Sequence, residues 1–245
     1  MYPLDAAAPD PIAERLCTAL QEMPVKRQAA CCSAAPGVLA TSECVRMLSA
    51  ALHFGAVTLP PADVDTCVAA MDRVFTGCDW VGPNTPQPPA ECQGIIRGTL
   101  DDGARCRSSL ECKDGLRCQG VGPTDAGKCA APRDDGSGCG ASVDALATYA
   151  RQNRYEAQHP ECKGFCERHR CTPAFAVSAA CRIDVQCGAG HACAGGKCAS
   201  APGDAVARGP VRKPAGEACT TDAECTGGCL RDGGAGHGTC GMKCP

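Results

Sequence analysis

The chain has 245 residues, a net charge of −3, and 24 cysteines against only eight aromatic residues. That balance marks a disulfide scaffold in place of a core built from large apolar side chains. It argues against a nucleic-acid partner, because no basic stripe is present to neutralise phosphates and few rings are available to stack on bases; no run of about 18 apolar residues offers a membrane span.

Persistent disulfides form in oxidising compartments, so the expected location is secreted or outer cell surface. The start of the chain lacks a charged and apolar signal segment, and Met1 is read as an initiator on a mature form, with a lipid anchor left open. Arginine outnumbers lysine 17 to 7 and alanine reaches 41, a bias that points to a high-GC bacterial genome.

Residues 1–98 read as a disulfide-bonded helical bundle. Apolar residues recur at helical spacing three times: Ile12, Leu16, Leu20; then Val45, Leu48, Leu52; then Val64, Val68, Met71, Phe75. Thr41 and Ser42 are candidate caps for the second helix, and Pro61 suits the first turn of the third. Seven cysteines fall in this part, and antiparallel helices would bring Cys44 near one helix start to Cys78 past the next helix end.

After the proline-rich stretch 83–89, Gly, Cys and Asp rise and helical periodicity fades. Four cysteine units follow, over 99–130, 131–172, 173–198 and 216–245, with 199–215 as a linker. Their spacings are Cys106-x5-Cys112-x5-Cys118-x10-Cys129, Cys139-x22-Cys162-x3-Cys166-x4-Cys171, Cys181-x5-Cys187-x5-Cys193-x4-Cys198 and Cys219-x5-Cys225-x3-Cys229-x10-Cys240. Gly103, Gly136 and Gly216 stand three residues before the first cysteine, where the third unit has Ser178, and glycine there fits a tight turn. The expected fold class is thus small and disulfide-rich: a helical bundle, then four irregular, short-stranded repeats.

L110-E-C-K-D-G-L-R-C and T221-D-A-E-C-T-G-G-C carry a resemblance to the Dickkopf N-terminal cysteine-rich type of repeat, over residues 99–244. The helical segment is similar to the leader domain that precedes such repeats in bacterial surface and secreted proteins. The second, receptor-binding domain of animal Dickkopf proteins is not evident, so a Wnt-antagonist role does not carry over. Four cysteines admit three pairings per unit. The crossed pattern, first to third and second to fourth, resembles colipase-like folds. It implies Cys106–Cys118, Cys112–Cys129, Cys139–Cys166, Cys162–Cys171, Cys181–Cys193, Cys187–Cys198, Cys219–Cys229 and Cys225–Cys240.

For metal chemistry, the usual C-x2-C hairpin occurs nowhere. Cys162, Cys166, His169 and Cys171 are the nearest thing to a ligand set, but three of them fall in register with the bridged positions of the repeat, so no metal or other cofactor is expected. The five histidines have no nucleophile motif beside them, G-x-S-x-G is absent, and the paired aspartates at 101–102 and 134–135 sit beside glycine in turns. No catalytic residue is assigned.

One unit departs from the spacing rule. Where the others place five residues between the first two cysteines, the second places 22, and its insertion 141–159 reads as a helix, capped by Ser142 and carrying Tyr149, Arg151, Arg154 and Tyr155. The longer loop adds only about 1.3 kcal/mol of closure entropy, so folding of the unit does not require it. Tyr and Arg are enriched where interfaces bind tightly, and these four residues are the candidate contacts for a protein partner, a cell-surface component or another copy of the chain.

The expected role is non-catalytic extracellular binding. A secreted protease inhibitor presenting an inter-cysteine loop is the alternative, with metal binding behind it. Cysteine parity is odd at both ends, seven up to Cys92 and five from Cys219. Cys244 is therefore expected to bridge to the helical part, across a linker that covers about 20–25 Å as flexible chain.

Overall fold

Asp10 starts the first helix. Its carboxylate accepts the backbone N–H groups of Ile12 at 2.8 Å and of Ala13, and Pro11 takes the first helical position, where a missing N–H costs nothing. The structure is a computed structural model and describes residues 8–83, 88–122, 125–140, 144–152, 161–182, 184–188, 191–194, 196–200, 212–231 and 237–244. Helix α1 (Pro11–Cys17) passes through a π-helical turn, Thr18–Glu22, into α2 (Met23–Cys31). The turn has a local cause: Pro24 has no N–H to return to the carbonyl of Leu20, four residues earlier.

Helices α3 (Thr41–His53) and α4 (Pro61–Val74) complete the bundle. Pro61 does occupy the first turn of α4. The cap expected from Thr41 and Ser42 is absent: Ala40 precedes α3 without a side-chain hydrogen bond, and the buried Thr41 hydroxyl has no partner among the described residues. Leu16, Leu20, Leu48, Val64, Met71 and Phe75 are fully buried, and Trp80 packs edge-on to Phe75 with ring centroids 4.8 Å apart. Burying each such side chain contributes about 1.5–3 kcal/mol, so this part stands on apolar packing.

Three disulfides brace it: Cys17–Cys44, Cys31–Cys78 and Cys67–Cys92. The expected Cys44–Cys78 pair is therefore wrong. The start of α3 lies beside the end of α1, and Cys78 after α4 meets the end of α2, so each cysteine finds a helix end other than the one assumed. The core also crosses position 98. Leu110, Leu146, Ala147 and Ala150 belong to the same buried cluster as the bundle, and β1 (Val57–Thr58) pairs antiparallel with β2 (Arg97–Gly98).

Beyond the bundle the strands are short and antiparallel. They are β3 (Arg105–Cys106), β4 (Arg117–Gln119) and β5 (Gly127–Ala130); β6 (Phe165–Glu167) with β7 (Arg170–Thr172); β8 (His191–Ala194) with β9 (Lys197–Ser200); and β10 (Ala218–Cys219), β11 (Gly228–Leu230) and β12 (Gly238–Gly241). The second and third sheets are plain hairpins, whereas β5 and β12 are central strands of three. In each sheet the third cysteine of a unit sits opposite the fourth: Cys118 and Cys129, Cys166 and Cys171, Cys193 and Cys198, Cys229 and Cys240. Among the described residues, the buried cluster of the last unit consists of four cysteines, Cys219, Cys225, Cys229 and Cys240. All 24 cysteines are bonded, in twelve disulfides, and every unit is closed first to third and second to fourth.

The last cysteine unit folds back onto the bundle. Cys244 is bonded to Cys32 at the end of α2, the Lys243 N–H donates to the Val81 carbonyl at 2.9 Å, and Gly82 faces Gly227 so closely that a Cβ on either would overlap backbone of the opposing strand or turn. Among the described residues no helix is long and apolar enough to cross a membrane.

Candidate functional site

The helix of the insertion is short, Ala145–Tyr149, and Asp144 caps it. Ser142, Arg154 and Tyr155 lie outside the described residues. One Asp144 carboxylate oxygen accepts the Ala147 N–H at 3.0 Å, while the other accepts the Ser109 N–H from the preceding cysteine unit at 2.7 Å. Burial, the largest influence, pushes this carboxyl above its usual range against the pull of those hydrogen bonds.

Tyr149 is half-buried against the bundle core, and its carbonyl accepts the Gln21 amide. Arg151 follows in the left-handed region, φ 50°, and its guanidinium donates at 3.1 Å to the Leu20 carbonyl, the group that Pro24 cannot serve. Gln152 is buried. Its amide donates to the Cys92 carbonyl at 3.0 Å and its oxygen accepts the Gly94 N–H at 3.0 Å. Tyr149 and Arg151 are thus brought to one seam between the insertion and α1–α2, where they contact their own chain. Nothing in the spacing distinguishes that seam from a surface contact. Pro24 is the one sequence feature that points to it.

A common frame recurs in the four cysteine units. Gly103, Gly136, Ser178 and Gly216 all have positive φ, from 71° to 91°, and each N–H donates to the carbonyl of its unit's fourth cysteine at 2.6–2.8 Å. The fourth cysteine's N–H returns to the carbonyl of the residue after that turn: Ala104, Ser137, Ala179 and Glu217. Residues six before the first cysteine, Leu100, Arg133, Phe175 and Lys213, bridge in parallel to the second cysteine. The last of these places Lys213 in the final unit, three residues ahead of the boundary expected at 216; residues 201–211 of the expected linker lie outside the described residues.

A side chain completes the frame, and it is the feature that sequence reading missed. Glu111, Glu161, Gln186 and Glu224 each precede the second cysteine. Each accepts the N–H of the residue after the first cysteine: Arg107 at 2.7 Å, Gly140 at 3.1 Å, Arg182 at 2.7 Å and Thr220 at 3.1 Å. The signal was legible as E-C, E-C, Q-C and E-C at equivalent positions. Glu224 is also held by Lys213, which with the Thr220 bonds lowers its carboxyl to about 2. The sulfurs of Cys162, Cys166 and Cys171, weighed above as metal ligands with His169, are taken up in disulfides.

No protein-family model, no curated protein and no solved structure matches the chain.

Proposed function

We propose that the chain is a secreted or surface-exposed bacterial protein that acts by binding another protein and carries no catalytic activity. On this reading the four cysteine units are copies of one repeat of the Dickkopf N-terminal cysteine-rich type, following a helical leader. The observation that carries it is the contrast between frame and loops. The same turn, hydrogen bonds and crossed disulfides recur four times. Within the units, the segments between successive cysteines vary from 3 to 22 residues. A constant rigid frame with variable connections is how binding scaffolds present contact residues, since ordering is done before the partner arrives.

The test is direct binding of the fully oxidised, labelled protein to intact bacteria of a high-GC species and to itself. Saturable binding that is lost after protease treatment of the cells, or concentration-dependent self-association by light scattering, is the expected result. Turnover of a substrate by the purified chain, with neither form of binding, would refute the reading.

A further inference from the structure

Residues 33–39, between α2 and α3, are all exposed, and from Gln28 to Ser42 the chain carries no charge. The run S33-A-A-P-G-V-L-A40 makes no turn or bend after Ser33, and Val38 is 98% exposed. Among the described residues, no backbone hydrogen bond is made by the N–H of Ala35, Gly37, Val38 or Leu39, or by the carbonyls between Ala34 and Leu39. A stretch of apolar side chains in water, on straight backbone with free donors and acceptors, is unfavourable for an isolated chain and suited to a cleft that receives it as an added strand.

Resting on the binding role proposed above, we infer that this loop is the contact segment and that its partner is a secreted serine endopeptidase with a small apolar primary pocket, filled by Val38. The side chains argue for that pocket: Ala, Ala, Pro, Gly, Val, Leu and Ala offer neither a charge nor an aromatic ring. The cross-links argue for inhibition instead of digestion. Three disulfides, Cys17–Cys44, Cys31–Cys78 and Cys32–Cys244, join the chain before Val38 to the chain after it, so a cut between Val38 and Leu39 releases nothing.

In that event the peptidase serine adds to the Val38 carbonyl, the Val38–Leu39 bond breaks, and the Leu39 amine leaves with the proton that the enzyme's base took from the serine. Water would turn the resulting ester into a Val38 carboxylate. The Leu39 amine is tethered close to the acyl carbon and competes with water, reforming the peptide and freeing the serine; the advantage is one of effective concentration.

The oxidised 245-residue protein is titrated against a pancreatic elastase, trypsin and chymotrypsin with chromogenic substrates. Elastase is expected to be inhibited, with trypsin at least about 100-fold less affected, Val38→Asp losing about 100-fold on elastase, and Val38→Arg transferring the inhibition to trypsin. Because Val38 is exposed, the variants should keep the wild-type thermal midpoint. After long incubation and reduction, mass mapping should find a single cut, between Val38 and Leu39. The inference is overturned by absence of elastase inhibition, by rapid turnover of the loop as a substrate, or by Val38→Asp inhibiting as well as wild type. Binding to cells that survives any of these results leaves the broader role standing and removes only the peptidase.

Discussion

Cys244 is bonded to Cys32 across 212 positions, and beside that bond the Lys243 N–H reaches the Val81 carbonyl. Among the described residues, the final cysteine unit is held to the bundle at this edge by one disulfide, one backbone bond and the close approach of Gly82 to Gly227. Cys244 is itself exposed, unlike the buried cysteines inside the unit.

Replacing Cys32 and Cys244 together by serine is expected to undock the unit without unfolding it. Amide exchange at Lys243 should rise on the order of 100-fold, the equivalent of about 3 kcal/mol of lost tethering. The Cys240 amide, bonded to Glu217 inside the unit, should stay protected. Gly82→Ala should give the same pattern with the disulfide intact, because a Cβ there meets the Gly227 carbonyl. Equal loss of protection at Cys240 would show that the unit has no independent fold.

Ser178 is the one non-glycine at the turn that opens each unit, at φ 71°. Its Cβ costs roughly 1–2 kcal/mol in that region, partly offset by the backbone freedom that glycine would lose on folding. Ser178→Gly should therefore stabilise the third unit by about 0.5–1 kcal/mol, and Gly136→Ala should destabilise the second by about 1–2 kcal/mol. Exchange at the Cys198 and Cys171 amides, which bond to Ala179 and Ser137, measures each unit separately.

Much of this arrangement is legible in the sequence. Cysteine spacing marked the units because a five-residue gap after the first cysteine recurs in three of the four and a glycine or serine turn precedes each, and the three apolar stripes marked helices because one buried face imposes a 3.6-residue period. Pairing inside the bundle was not legible, since spacing says nothing about which helix ends become neighbours; Cys17 and Cys31 each took a partner that had been assigned elsewhere or left open. The insertion was the harder case. Tyr149 and Arg151 read the same in sequence whether they meet a partner or their own chain; the packing of Tyr149 on the bundle core and the bond from Arg151 to the carbonyl left by Pro24 separate the two.

Acid should loosen the last unit first. The Lys213 ammonium, then the Thr220 hydroxyl and N–H, hold the Glu224 carboxyl at about 2, below its ordinary value of 4.5, and Lys243 with the Cys229 N–H lowers Asp222 in the same unit. A depressed folded-state value means that the stabilising contribution is complete above pH 4.5 and is lost as pH falls through about 2. Thr220 and Cys229 amide protection should decline across that window in wild type. Glu224→Gln keeps an acceptor for Thr220 but removes the charge, so its protection should be lower at pH 6 and nearly flat through the window at Thr220. A wild-type profile that is flat from pH 5 to pH 2 would count against the ion pair.

Asp144 is buried and joins two parts of the molecule: it caps the insertion helix, whose Leu146 lies in the bundle core, and it accepts the N–H of Ser109, the residue before Leu110 of the same core. Alanine at this position would leave the buried Ser109 N–H and the helix start without their acceptor, at a cost of roughly 1–3 kcal/mol. Asparagine can still accept from Ala147, but its amide then turns a donor toward the Ser109 donor, so rescue should be partial. The pH dependence has the opposite sign to that of Glu224. Burial raises the folded-state value of Asp144, so its favourable contribution is complete below 3.8 and is lost as pH rises through the raised value. Asp144→Ala should accordingly cost more at pH 3.5 than at pH 7, measured as the shift in thermal midpoint with all disulfides intact. Exchange at Ser109 should accelerate in the same variant while Cys240 in the last unit is unchanged. A variant that unfolds no earlier than wild type at either pH would mean that Asp144 is not the joint between the insertion and the first cysteine unit.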